Sequence, residues 1–130
     1  MIALVATAGG TFTVELETEA VEPTSDEPST PPELVLNLPR VVAAAASGAT
    51  VFAVVDTKPP LLVSHDAGST WRASGHGLPP GRALALSPET PDVALFAGRN
   101  RLYVTRDGGR FWTALAVELP EIQAVELREG

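Results

Sequence analysis

The chain has no cysteine, which excludes a disulfide framework and a thiolate metal site and suits a reducing compartment. Aromatic residues are scarce at 5%, with one tyrosine, and there are two histidines, His65 and His76. Candidates for nucleophile or base are therefore few. Positive charge is also short: nine Lys and Arg stand against sixteen Asp and Glu, for a net charge of −7. A surface that acidic repels phosphate backbones and anionic headgroups, so neither nucleic acid nor a membrane surface is expected as a partner. Residues 41–55 are uncharged, but they are too few to span a bilayer and Gly48 interrupts them. The N-terminal MIALVATAGG has the apolar character of a secretion signal without the preceding Lys or Arg such a signal needs. Read as a strand, it leaves the cytoplasm as the expected location.

What is present is punctuation. Twelve prolines and eleven glycines in 130 residues, with 45% hydrophobic residues, describe one domain of many short segments joined by tight turns. The apolar runs are four to eight residues long and bounded by Gly, Pro, Asp or Asn, with no sustained helical spacing. An all-β fold follows.

The order of those runs repeats. Leu38-Pro39, Leu78-Pro79 and Leu119-Pro120 are 40 and 41 residues apart. Each is followed by an apolar stretch: VVAAAAS (41–47), RALALSP (82–88) and IQAVELR (122–128). Then come TVFAVVD (50–56) and DVALFAG (92–98), and a third run leading into a turn, LLVSHDAGSTW (61–71) and LYVTRDGGRFW (102–112). Four strands in about 40 residues is the period of a propeller blade. A generic β-sandwich also predicts strands, but not this self-similarity. The third copy is split: IQAVELR is a first strand with nothing after it, MIALVATAGG is a second, FTVELE (12–17) a third, and ELVLNLP (33–39) leads to the Leu-Pro pair. The expected organisation is blade 1 from 122–128 plus 1–39, blade 2 from 40–79 and blade 3 from 80–120. Within blade 1, the acidic, proline-rich residues 18–32 are expected as a solvated, mobile hairpin insertion.

Ser64-His65-Asp66-Ala67-Gly68-Ser69-Thr70-Trp71 resembles the Asp-box (BNR repeat) pattern Ser-x-Asp-x-Gly-x-Thr-Trp at every fixed position. Thr105-Arg106-Asp107-Gly108-Gly109-Arg110-Phe111-Trp112 resembles it with Thr105 for Ser and Phe111 for Thr, 41 residues later. The chain outside 18–32 is similar to blades of sortilin-type and photosystem-assembly-factor-type propellers. In a tight turn, the Asp carboxylate is expected to accept backbone N–H groups, and Gly68 and Gly109 to supply positive φ. Trp71 and Trp112 are expected to put a large apolar ring between neighbouring blades or sheets. The resemblance makes these residues structural, so Asp66 and Asp107 are not catalytic candidates. Glu17 holds the equivalent register in blade 1, with no Gly or Trp after it.

Three blades are too few for a ring, and a three-bladed tie between the two termini looks too tight. The expectation is a homodimer of about 27 kDa, twice the chain's 13.6 kDa. Strand exchange would close it as a six-bladed propeller, with 122–128 completing the partner's blade 1; a larger hetero-assembly is the rival.

The resemblance brings sialidases and other glycosidases into view, which need a tyrosine nucleophile, a carboxylate partner and an arginine cluster. Tyr103 sits two residues before an Asp box, where packing is the expected role, and Leu38-Pro39-Arg40 does not reproduce the arginine motif. A site on a two-fold axis would also see every residue twice. His65 and His76 fall at a variable box position and in a Gly-flanked connector, so no metal or cofactor is expected. Arg99, Arg101, Arg106 and Arg110 form the basic run, read as a solvated edge, with a contact to acidic residues 15–33 as the alternative. The expected function is a non-enzymatic binding or scaffold propeller with a protein or glycan ligand. A carbohydrate-recognising propeller, lectin or degenerate glycosidase, is the other reading.

Overall fold

The computed structural model describes residues 1–29, 34 and 36–128. Twelve strands make three four-stranded antiparallel sheets, with no helix among the described residues. Blade 1 uses β1 (Ile2–Thr7), β2 (Gly10–Glu15) and β3 (Val21–Thr24). Blade 2 is β4 (Val41–Ser47), β5 (Thr50–Val55), β6 (Leu61–Ser64) and β7 (Arg72–Ser74). Blade 3 is β8 (Ala83–Leu86), β9 (Ala94–Ala97), β10 (Arg101–Thr105) and β11 (Thr113–Glu118). The last strand, β12 (Ile122–Arg128), returns to blade 1, whose order is β12-β1-β2-β3.

Each second strand is apolar but for a terminal Thr7 in β1 and Thr50 in β5, because both of its faces are covered. Ala94 to Ala97 in β9 are wholly buried, and Val51 to Val55 in β5 nearly so. Blade 3 lies between the other two, since β8 packs against both β12 and β4. Ala3, Val5 and Val14 of blade 1 share one core with Leu95, Leu102 and Val104 of blade 3. On its other side, blade 3 contributes Leu84, Ala94 and Phe96 to a second core with Phe52, Val54, Leu61 and Val63 of blade 2. Gly81 is forced by contact, not by φ: a Cβ there would stand 2.5 Å from Phe96 Cε2 and 2.6 Å from Val54 Cγ1.

Two expectations need correction. The tie of 122–128 is made within one chain: Ala3 pairs with Leu127 and Val5 with Val125, and β1 pairs on its other side with β2. The tightness argument assumed a closed ring. The blades instead form a row of 2, 3, 1, so blade 1 takes its own β12 without having to meet blade 2. The second correction concerns 18–32, which is not an insertion before a fourth strand. The fourth strand, β3, lies inside it and pairs Val14 with Val21 and Thr13 with Glu22. Of the expected 33–39 segment, residues 33 and 35 lie outside the described residues, and 34 and 36–39 form no strand. Asp26 meets Arg128 at 3.8 Å and the Ser29 N–H donates to Glu126 at 2.7 Å, so this acidic segment is tied to β12 at Asp26 and Ser29.

Candidate binding sites

The two Asp turns are built as their residue types require. Ser64 Oγ accepts the Gly68 N–H (2.8 Å) and donates to Asp66 Oδ1 (2.7 Å). The Asp66 carboxylate also accepts the N–H and the hydroxyl of Thr70, at 2.8 and 2.5 Å. In blade 3, Thr105 Oγ1 accepts the Gly109 N–H at 3.0 Å and donates to Asp107 at 2.8 Å, and Asp107 accepts the Phe111 N–H at 3.0 Å. Gly68 and Gly109 both have φ +91. The Thr70 hydroxyl first, then the Thr70 N–H and Ser64, hold the Asp66 carboxyl down at about 2 from 3.8. The Phe111 N–H and then Thr105 lower Asp107 as well.

A carboxyl lowered by folding contributes stability above its unfolded value, near 3.9, and loses that contribution as pH falls toward its folded value. Stability should therefore fall from about pH 4 to about pH 2, with a shallower slope in Asp66→Asn than in the wild type. Asp66→Ala should lower the melting temperature by about 3–6 °C, and Asp107→Ala by less, because Phe111 offers no hydroxyl. Equal melting curves for wild type and both variants would remove the clasp account.

The two tryptophans part company. Trp112 stands between blades 2 and 3, edge-on to Phe52 (6.2 Å between centroids) and Phe96 (6.0 Å), with its Nε1–H on Ser74 Oγ at 3.1 Å. Ser74 in turn donates to the Gly109 carbonyl, and Arg72 Nη2 reaches the Gly108 carbonyl at 3.3 Å. The blade 3 turn is thus a junction with blade 2 as well as a local turn. Trp71 lies over its own turn, its Cζ2 3.5 Å from the Cβ position of Gly68. The corresponding side of blade 2 lies at the end of the row, with no further blade beside it among the described residues. Glu17 in blade 1 makes no such turn; its N–H goes to the Glu15 carboxylate at 3.1 Å.

Two clefts open on this frame. The central cleft, of about 670 Å³, runs across the innermost strands. Small side chains floor it, Ala44, Ala45 and Ala46 from β4 and Ala85 from β8, with Val125 and Leu127 from β12. Glu89, Glu126 and Arg128 border it. Burial, the largest influence on Glu126, pushes its carboxyl up, but hydrogen bonds from Arg128 and Ser29 together hold it below its ordinary value. The outer groove, of about 580 Å³, lies between β7 with its connector and the β10–β11 end of blade 3. It gathers Arg72, His76, Tyr103, Arg110, Phe111 and Trp112.

Tyr103 packs its ring on Phe96 at 5.9 Å, which agrees with a packing role. His65 lies near Gly108 of the adjoining turn, whereas His76 lies in the outer groove. The arginines of the basic run divide: Arg101 pairs with Glu118 at 2.8 Å, and Arg110 enters the outer groove. Among the described residues no three His, Asp or Glu side chains gather as a metal cage, and no helix is long and apolar enough to cross a membrane.

These sheets and clefts define an all-β chain of three propeller-type blades. No protein-family model matches it, and no curated protein does. Among solved structures it is similar to a GH74 enzyme of Niastella koreensis, with 22% identity and a TM-score of 0.49. The match covers 91% of this chain and 18% of that one, so the chain spans less than a fifth of the enzyme's length.

Proposed function

We propose that the chain is a non-enzymatic binding or scaffold module of the Asp-box kind, with blades of the sortilin and photosystem-assembly-factor type. The observation that carries this reading is the chemistry of the central cleft. Its volume suits a ligand, its floor is small and apolar, and its best-held acid, Glu126, is kept ionised by Arg128 and Ser29. A general acid needs the opposite shift. Tyr103 supports the reading too, because its ring is engaged with Phe96 away from the central cleft.

A carbohydrate-recognising module is the second reading, favoured by Glu89 and Glu126 bordering one cleft. Incubation with sialosides and aryl glycosides should release no product, while protein-fragment and oligosaccharide libraries are followed by amide shifts at 44–47, 84–86 and 125–128. Shifts there with protein fragments alone support the first reading, and shifts with oligosaccharides alone support the second. Turnover abolished by Glu126→Gln or Tyr103→Phe would overturn the non-enzymatic assignment.

For the assembly we propose two copies joined end to end as a six-bladed ring of about 27 kDa, twice 13.6 kDa. Val41 and Val42, 37% and 51% exposed on β4, lie in the blade at the free end of the row. Each copy keeps its own β12.

A further inference from the structure

We infer that the outer groove between blades 2 and 3 binds an extended acidic peptide, which adds as a strand to β7. Three observations converge there.

The first is Phe111. Its counterpart in the other turn, Thr70, donates its hydroxyl to Asp66. Phe111 gives up that bond and still buries little, with 78% of its surface in solvent. Nothing in the fold is gained by an aromatic ring at this position. An exposed ring at the mouth of a groove whose wall is Trp112 is a contact for something outside the chain.

The second is charge. The groove holds the arginines Arg72 and Arg110, both exposed, and no carboxylate among the described residues lines it. In a chain of net charge −7 this is a local reversal. It attracts acidic partners and, against the rest of the surface, fixes where they land.

The third is the strand edge. Each blade ends on an outer strand, and two of the three are blunted. On β3 stands Pro23, which has no N–H to offer. On β11 the N–H groups of Ala116 and Val117 are taken by the Glu19 carboxylate at 2.6 and 3.3 Å. The third, β7, reads Arg72-Ala73-Ser74, has no strand beyond it among the described residues, and forms one wall of the groove. An open edge beside apolar and cationic side chains is the arrangement that captures a peptide by strand addition: backbone bonds give affinity, and alternate side chains give choice.

The test is fluorescence anisotropy with full-length protein and a labelled short peptide alternating Glu and Val. A Lys/Val peptide and a Glu/Val peptide with prolines at the Val positions are the comparisons. The Glu/Val peptide should bind about tenfold more tightly than either, and less tightly as salt rises. Arg110→Glu and Phe111→Thr should each weaken it about tenfold. The melting temperature of Arg110→Glu should hold, and that of Phe111→Thr should rise as the hydroxyl bond to Asp107 is restored. Equal binding of the Lys/Val peptide would overturn the charge argument, and equal binding of the proline peptide the strand addition. Binding unchanged in both variants, or none by the wild type, would overturn the site. The outcome is independent of what the central cleft takes, because the variants leave residues 44–47, 84–86 and 125–128 untouched.

Discussion

Removal of residues 121–130 should leave a chain with no cooperative unfolding transition. The strand lost is not peripheral. Ile122 is fully buried, Val125 is 7% exposed and Leu127 is 4% exposed, all in the core shared with blade 3. Burying side chains of this size contributes about 1.5–3 kcal/mol each, so the three together supply about 5–9 kcal/mol, against a typical domain stability of about 5–15 kcal/mol. The loss is compounded because β1 becomes an edge strand and β8 loses a neighbour. A synthetic peptide of residues 119–130 added back should restore the transition. Calorimetry of the full-length protein reports association: a midpoint that falls on dilution fits a dimer, and one independent of protein concentration fits a monomer. A truncated chain that melts like the full-length protein would refute the role given to β12. Light scattering on the full-length protein tests the proposed dimer separately, and a monomer at all concentrations would dismiss it.

Phe96→Ala should cost about 3–5 kcal/mol, the range for emptying a large aromatic site in a core. Phe96 is fully buried, pairs edge-on with Tyr103 and Trp112, and stands where the blade 2–3 connection passes at Gly81. Phe96 sits in the core that blades 2 and 3 share and not in the blade 1–3 core, so the cavity should loosen the former junction more. Hydrogen exchange should show it: amides of β6, β7 and β10 lose protection before those of β1 and β12. A denaturation midpoint within about 1 kcal/mol of wild type would mean that the junction closes over the space.

The blades were legible because the second strands are apolar runs and the Leu-Pro pairs keep time. β3 was not. Val21-Glu22-Pro23-Thr24 has neither apolar alternation nor a place for proline inside a sheet, yet an outer strand tolerates both. The signal that would have found it is distance: β7 and β11 each begin eight residues after the end of the strand before, and β3 begins six after Glu15. In the Asp turns, the carboxylate as acceptor of turn N–H groups was readable from Asp and Gly at those offsets, whereas the bonds of the Ser64, Thr70 and Thr105 hydroxyls emerge only from the structure. The bridge from the blade 3 turn to blade 2 was not readable either, because Ser74 on Gly109 and Arg72 on Gly108 depend on how two sheets face each other. The outer groove is illegible for the same reason. Phe111 was visible as a departure from the pattern, but its exposure was not.

The pairing of Ile2 with Arg128 puts the two ends of the chain side by side at one end of a single antiparallel ladder. A force that draws the ends apart therefore acts across that ladder and not along it, and loads one rung at a time, starting from Ile2 and Arg128. Each rung that opens transfers the load to the next: Ala3 with Leu127, then Leu4 with Glu126. The chain is knit together against heat and opens like a zip under tension.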